Sequence, residues 1–301
     1  MLVTAKVAGY QICRYFVNFV PHHQPVCESD VEKLRSFLFM HKETLVLTGA
    51  GISTESGIPD YRSKDVGLYA RSNHKPMTYQ EFTRNSSSRR RYWARSFVAW
   101  PQFSSVSPNR CHTILRQLES QGYLSYIITQ NVDNLHFKAG CEKVIELHGT
   151  LYRVICTSCR EYSLDRHVFQ QMLRNLNPSM IRTSQVLRPD GDVDLNEDEV
   201  KSFVIPNCTL CGNFLKPDVV FFGENVPAER VKRVNEQVAR CSSLLVLGSS
   251  LSTFSAFRIV LQAVEARKPV CIVNIGESRA DSLIKDRIEA KCGEILFAAF
   301  S

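Results

Sequence analysis

No stretch of the chain stays apolar and uncharged for the roughly 18–20 residues a membrane-crossing helix needs, so no membrane partner is expected. A secreted disulfide framework is also absent from the pattern. The eleven cysteines are odd in number and spread along all 301 residues, which points to a reducing compartment. Acid is missing from the N-terminus: residues 1–27 hold Lys6 and Arg14 but neither Asp nor Glu before Glu28. With Val7, Ile12, Tyr15, Phe16 and Phe19 spaced between, residues 1–28 read as a mitochondrial presequence or an N-terminal arm, set apart from the fold. The presequence reading places the mature protein in the mitochondrial matrix. The net charge of +7 is too mild to choose between nucleic acid, an acidic substrate, an anionic cofactor and targeting.

What is present is an alternation of strands and helices. Ser29-Asp30-Val31-Glu32 has the form of a capping box, followed by Val31, Leu34, Phe37 and Leu38 at helical spacing. Thr44-Leu45-Val46-Leu47-Thr48 then runs into Gly49-Ala50-Gly51. Further short apolar runs, Leu124 to Thr129, Val219 to Phe222, Ser243 to Leu247 and Pro269 to Asn274, read as buried parallel strands. Helical patterns at His112 to Gln121, Ala228 to Arg240 and Ala256 to Arg267 separate several of them. The pattern predicts an α/β fold: a Rossmann-like, doubly wound parallel sheet formed by residues 29–149 and 216–301. Residues 60–110 read as helices and loops laid over it. Residues 150–215 break the rhythm and read as a smaller inserted module.

That module holds Cys156-x-x-Cys159 and Cys208-x-x-Cys211. Four thiolates in two pairs make a closed tetrahedral zinc shell, which is structural rather than catalytic. A redox role is the rival for either pair alone, but neither has thioredoxin-like surroundings. The acidic run Asp190-Gly191-Asp192-Val193-Asp194 through Glu199 lies between the pairs and reads as an extra loop.

Gly49-x-Gly51 after a strand allows a sharp turn and close approach of backbone amides to a pyrophosphate. The third glycine of the usual dinucleotide fingerprint is absent, its place taken by Thr54, and a β-turn explains the tripeptide as well. His148 follows the predicted strand Val144-Ile145-Glu146-Leu147, at a strand end where α/β sheets place their sites. Imidazole there suits a general base near neutrality.

Gly49 to Ser53, Ser56-Gly57-Ile58-Pro59-Asp60-Tyr61-Arg62, Gln130-Asn131-Val132-Asp133, His148-Gly149, Gly248-Ser249-Ser250 and Asn274-Ile275-Gly276 together resemble the sirtuins, in content and in order, over about residues 30–300. The resemblance implies an NAD-dependent protein deacylase that acts on acylated lysine side chains and releases nicotinamide and acyl-ADP-ribose. Gly49, Ala50, Gly51 and Ser53, with Gly248, Ser249 and Ser250, would surround the pyrophosphate. Asn274, followed by Ile275 and Gly276, would reach the adenosine ribose, with Cys292 beside the adenine. Gln130 would contact the nicotinamide ribose, while Asn131, Val132 and Asp133 form the carboxamide pocket. Asp60, Tyr61 and Arg62 lie on the loop that would close over NAD, Tyr61 standing where the family usually has Phe. His148 resembles the catalytic histidine, with Asn131 its partner in the chemistry.

Tyr92-Trp93-Ala94-Arg95 sets a phenol and a guanidinium one helical turn apart, and arginine suits bidentate capture of a carboxylate. This pair resembles the acyl pocket of sirtuins that remove acidic acyl groups; a solvated basic helix is the other reading. With Trp100-Pro101-Gln102-Phe103 and the run Lys216 to Glu224, the chain looks most like the mitochondrial sirtuin-4 group. That implies acidic, bulky or lipoyl acyl groups, with ADP-ribosyl transfer as an alternative outcome. The Val219 to Gly223 segment (Val220, Phe221, Phe222, Gly223) would pair with the substrate backbone. A non-enzymatic zinc module binding nucleic acid through Arg89 to Arg95 would not need Asn131, Asp133 and His148, and no stable nucleic-acid binding is expected. A dehydrogenase would reduce NAD rather than consume it.

Overall fold

All five side chains of Thr44-Leu45-Val46-Leu47-Thr48 are buried, as in a strand covered on both faces. The computed structural model describes residues 4–7, 10–13, 19–71, 76–159, 162–180, 188, 195 and 197–301. At the N-terminus, β1 (Thr4–Val7) and β2 (Tyr10–Cys13) form an antiparallel pair. The main sheet is parallel and six-stranded. Its order is β11 (Arg287–Ile288), β10 (Val270–Val273), β9 (Leu244–Leu247), β3 (Thr44–Thr48), β4 (Leu124–Thr129) and β5 (Val144–Glu146). Winding starts at β3 and proceeds outward both ways, which is the doubly wound topology expected.

The period of two is visible in the cores. Val46, Leu245 and Cys271 face the helices Glu28–Met40, Arg110–Ser120 and Cys292–Phe300. Leu45, Val246 and Ile272 face the helices Ala228–Arg240 and Phe254–Glu265. Adjacent residues point to opposite faces, so each strand contributes to two cores at once. Among the described residues no helix is long and apolar enough to cross a membrane.

The second sheet is antiparallel, in the order β7 (Ser163–Asp165), β6 (Gly149–Cys156) and β8 (Leu215–Val219). It corrects one expected strand: Val219 to Phe222 is not a parallel strand of the main sheet. The strand ends at Val219 and belongs to the small module, whose sheet therefore spans residues 149–219. Beyond Val219 the apolar run forms no strand: Phe221 is buried by an aromatic cluster, with Phe82 and Tyr92 5.0 and 5.3 Å away, while Phe222 is exposed. The long helix Ser86–Ser104 packs on this module through Trp93, Phe97, Trp100 and Phe103. Pro101 sits inside that helix and leaves the Phe97 carbonyl without its helical donor. Gln170 Nε2 supplies the missing bond at 2.8 Å.

Two further expectations are corrected at the N-terminal edge. Cys27, not Ser29, is the N-cap of the first helix, and its carbonyl accepts from Asp30 and Val31. Within the segment before it, residues 19–26 pack on the fold. Phe19 is buried with the Arg71 guanidinium 5.0 Å from its ring, and Val26 packs on the core beside the first helix. The acidic residues 190–194 lie outside the described residues.

His112 and His136 are both fully enclosed, with ring centroids 5.0 Å apart. Thr48 Oγ1 meets His136 Nε2 at 3.0 Å, which fastens the pair to the end of β3. Burial pushes His136 down to about 4 and His112 well below its ordinary value. The unfolded chain therefore takes up protons on these rings below about pH 6.5 while the folded chain does not, and stability falls from there toward pH 4. The slope per ring is on the order of 1.4 kcal/mol per pH unit. Glu146, raised to about 7 by burial, works in the opposite direction, so the test is a difference. His136→Asn should give a shallower loss of denaturant midpoint between pH 6.5 and 4.5 than wild type; equal slopes would contradict the neutral buried pair.

Candidate active site

The winding reverses between β3 and β9, and a cleft of about 2080 Å³ opens at the carboxyl ends of these strands. This is where an open α/β sheet holds its ligand. The floor is made by two turns in direct backbone contact. Gly51 N donates to Gly248 O at 2.9 Å, and a Cβ on Gly49 or Gly51 would approach Gly248 O to 2.7 or 2.8 Å. Gly248 has φ +58, and its own Cβ would come 2.7 Å from Ile52 N. The glycines are thus required first by the packing of one turn on the other. After Gly49 the chain forms the short 3₁₀ helix Ala50–Ser56 in place of the long helix of a dehydrogenase. Thr54 Oγ1 donates to Gly51 O at 2.9 Å at the position where the third glycine is missing.

Ser53, buried in that helix, is a hub. Its hydroxyl donates to Asp133 at 2.7 Å and accepts from Asn131 Nδ2 at 3.1 Å, while Asn131 also donates to Gly49 O at 3.0 Å. Asp133 is fully buried, and its carboxyl titrates above the usual range because burial outweighs the bonds from Ser53 and Leu135. Gln130 Nε2 reaches Ser249 Oγ at 2.8 Å and Thr48 O at 3.2 Å, tying β4 to β3 and β9.

His148 stands opposite. Its Nδ1 lies 3.1 Å from Gln130 O and its Nε2 lies 2.8 Å from Ser255 Oγ. A carbonyl can only accept, so Nδ1 carries the proton and Nε2 the lone pair. Burial holds the ring down at about 4; the Gln130 bond opposes this and the Arg230 charge adds to it. The imidazole is therefore a neutral base throughout the physiological range.

Asp60 shapes the loop over the cleft by accepting from Arg62 N at 3.1 Å and Ser63 N at 2.8 Å, and it also bonds the Ser63 hydroxyl. Tyr61 lies 5.8 Å from Tyr69, with Arg62 over the Tyr69 ring. At the far end Asn274 Nδ2 bridges the Ile275 and Gly276 carbonyls, both at 3.0 Å. Cys292 is buried there, its thiol pushed up to about 12, so it serves as an unreactive wall. On the other flank, Tyr92 and Arg95 line the cleft with Phe221 and Phe222. Every residue expected at the cofactor and acyl sites borders this one cavity.

Several lining residues were not foreseen. Val20, Pro21 and His22 form part of the wall, and His23 reaches Glu294 at 3.5 Å. The acid-free composition concealed this arm, and only Phe19 hinted at burial. Arg188 enters the cleft from the small module, buried, with nothing in its local sequence to mark it. Ser255 gave no signal because one serine at a helix start is commonplace. Lys216 and Glu224 pair at 2.9 Å, and Glu224 accepts from Phe221 N at 2.9 Å, bracing the turn beside His148.

The four predicted metal ligands converge away from the cleft. The sulfurs of Cys156, Cys159, Cys208 and Cys211 all lie within 4.8 Å of one another, with Cys156 and Cys211 3.4 Å apart and Cys159 and Cys208 3.7 Å apart. A tetrahedron with Zn–S bonds of about 2.3 Å has edges of roughly 3.8 Å, so these residues fit one zinc ion with no open position. Purified protein should hold one zinc per chain by elemental analysis. Cys208→Ser should lose it together with several degrees of thermal midpoint, and full stability without metal would remove the structural role.

Comparison with known proteins agrees with this geometry. Residues 49–255 match the Sir2 family. The Drosophila melanogaster protein named NAD-dependent protein deacylase Sirt4 is 53% identical over 279 residues, covering 93% of this chain and 89% of its own. The Homo sapiens protein named NAD-dependent protein lipoamidase sirtuin-4, mitochondrial, is 48% identical over 278 residues, 92% of this chain and 88% of its own. A solved structure described as "Sir2-p53 peptide-NAD+" superposes with a TM-score of 0.68 at 28% identity, covering 89% of this chain and 95% of its own. Another, described as "Structural Basis for the Mechanism and Regulation of Sir2 Enzymes", gives 0.70 at 30% identity over 91% and 97%. Sirtuins use NAD as a co-substrate, and the four-cysteine cluster fits their one structural zinc. With its parallel sheet, cleft and thiolate module matched along nearly the whole length, the chain belongs to the Sir2 family of NAD-dependent protein deacylases.

Proposed function

We propose that this chain removes acidic or bulky acyl groups, lipoyl among them, from protein lysine side chains in the mitochondrial matrix, with His148 as general base. The observation that carries the reading is the protonation of His148: Nδ1–H donated to Gln130, Nε2 left basic, in a half-buried and neutral ring. NAD, when bound, would supply a ribosyl carbon that the acyl oxygen attacks as nicotinamide leaves. A ribose hydroxyl would then add to the acyl carbon, the C–N bond to lysine would break, and one water would be consumed in leaving the acyl group as an ester on ADP-ribose. His148 Nε2 takes the proton of the ribose hydroxyl that captures the acyl group. The Ser53, Asn131 and Asp133 network orients the carboxamide end, and the Gly49 to Gly51 and Gly248 turns, bare of side chains, let the pyrophosphate approach the backbone closely. Tyr61 and Arg62 close over the site and limit water, which would otherwise compete for the activated sugar.

Extended peptide can join the segment after β8 only along one edge. Val220 N already donates to His148 O at 2.8 Å, and Phe222 O accepts from Tyr79 N at 2.9 Å. On the other edge Glu224 holds both the Phe221 N–H and the Phe221 carbonyl, at 2.9 and 3.0 Å, so Gly223 is the part of that edge left for the substrate backbone. Arg95 faces the same cavity as Tyr92, and its guanidinium is suited to a carboxylate at the acyl terminus. The names of the mitochondrial relatives and the acid-free residues 1–27 support the location.

His148→Ala should lower nicotinamide release from an acyl-lysine peptide by 10²- to 10⁴-fold, the span of a lost general base. Mass spectrometry should find acyl-ADP-ribose and free lysine; a modified protein without acyl-ADP-ribose would favour ADP-ribosyl transfer instead. Arg95→Ala should reduce kcat/KM for glutaryl-type acyl chains by about 10- to 100-fold, the range of a lost charged hydrogen bond, with acetyl-lysine changed less than threefold. Equal losses on both chains would remove Arg95 from acyl selection.

A further inference from the structure

His148 has both ring nitrogens engaged, and the partner on the working nitrogen is Ser255. Because Gln130 O accepts from Nδ1, the hydroxyl of Ser255 is the donor to Nε2 at 2.8 Å. We infer that Ser255 is a positioning residue that caps the base in the resting enzyme: its hydroxyl holds the Nε2 lone pair and must turn away before that nitrogen takes the substrate proton. The inference rests on the reading of His148 as the base.

The backbone shows how the serine is brought there. The chain leaves β9 through Gly248 at φ +58 and then Leu251 at φ +54. A side chain is rarely found in that left-handed region, and the fully buried Leu251 is held in it, with its N–H donating to Ser249 Oγ at 3.1 Å. This double reversal delivers the helix Phe254–Glu265 with its first turn facing the cleft. Thr253, the N-cap, donates its hydroxyl to Gln130 Oε1 at 3.3 Å. One turn of chain thus grips both Gln130 and the histidine that Gln130 orients. Ser255 is only partly buried, so its hydroxyl has room to rotate.

The charged groups around the ring do not replace this contact. Arg230, on the helix Ala228–Arg240, disfavours the protonated ring and is itself held by Asp218 at 3.4 Å. Glu146 lies two residues before His148 at the end of β5, and Arg258 lies on the serine's own helix at the cleft. None of the three bonds Nε2. The cap therefore has a specific consequence. Donation to the lone pair stabilises neutral imidazole, so its removal raises the affinity of Nε2 for a proton and frees it from competition.

The test is Ser255→Ala in the full-length zinc-loaded protein, with Ser255→Thr as the hydroxyl-retaining control. A neutral hydrogen bond is worth about two- to tenfold in an equilibrium. In Ser255→Ala the acid limb of kcat/KM should move up by roughly 0.5–1 pH unit, and the plateau above pH 8 should rise by about two- to tenfold. The His148 ring titration followed by NMR should move up by the same amount, and Ser255→Thr should restore the wild-type profile. A structural role alone would change thermal stability without moving the titration. An unmoved His148 titration in Ser255→Ala overturns the cap, and so does a plateau that falls tenfold or more. The NMR measurement needs no turnover, so absence of deacylation in wild type would defeat the functional reading while the hydroxyl contact is still judged separately.

Discussion

Gly51 N and Gly248 O meet at 2.9 Å where two strand-end turns touch backbone to backbone, and the site is built outward from that contact. No side chain stands between the turns, and any Cβ added to Gly49, Gly51 or Gly248 would strike main-chain atoms that cannot move aside. The turns are therefore locked in separation and angle. From the first turn Ser53 reaches Asp133 and Asn131; from the second, Ser249 reaches Gln130. Gln130 then orients His148 through its carbonyl. A shift of an ångström between the turns would pass through four hydrogen bonds to the imidazole, and near-attack geometry tolerates little of that.

Burial sets the protonation of this network and makes it useful. An exposed histidine is half protonated near pH 6.5, which would leave a base partly disabled in mildly acidic surroundings. Enclosure of His148 removes the water that would stabilise imidazolium, and the Arg230 charge reinforces the effect. Asp133 is moved the other way by the same cause, its carboxyl raised because the cleft wall is dry. The cleft thus combines a neutral base with polar groups that are satisfied by one another until ligand arrives.

The small module contributes more than a metal clip. The two sheets join at Leu147 to Gly149, where Gly149 adopts φ +83 and a Cβ would lie 1.9 Å from Asp218 O. That close crossing places the turn after β8 directly beside His148, with Val220 N on its carbonyl. Aromatic packing of Phe82, Tyr92 and Phe221 then fixes this wall of the cleft against the same turn. Four thiolates lie within bonding reach of one ion, which would tie the end of β6 to the segment that leads into β8, away from the cleft.

Read without coordinates, residues 44–48, 124–129 and 228–240 already had their final form, because β-rich runs and an amphipathic helix encode their own period. The cysteine pairs, the glycine turn and His148 at a strand end stood out by residue type and spacing, while the Asn131 to Asp133 segment stood out only through the resemblance to the sirtuins. The strand at Leu215–Val219, the cap at Cys27 and the packing of Phe19 were not. Each depends on which distant surface covers it, and an apolar run is the same in a sheet as under an aromatic cluster. Arg188 and Ser255 lay beyond reach for the same reason. Local chemistry names the groups that can act, but a hydrogen bond across 107 residues exists only once two turns and two sheets have met.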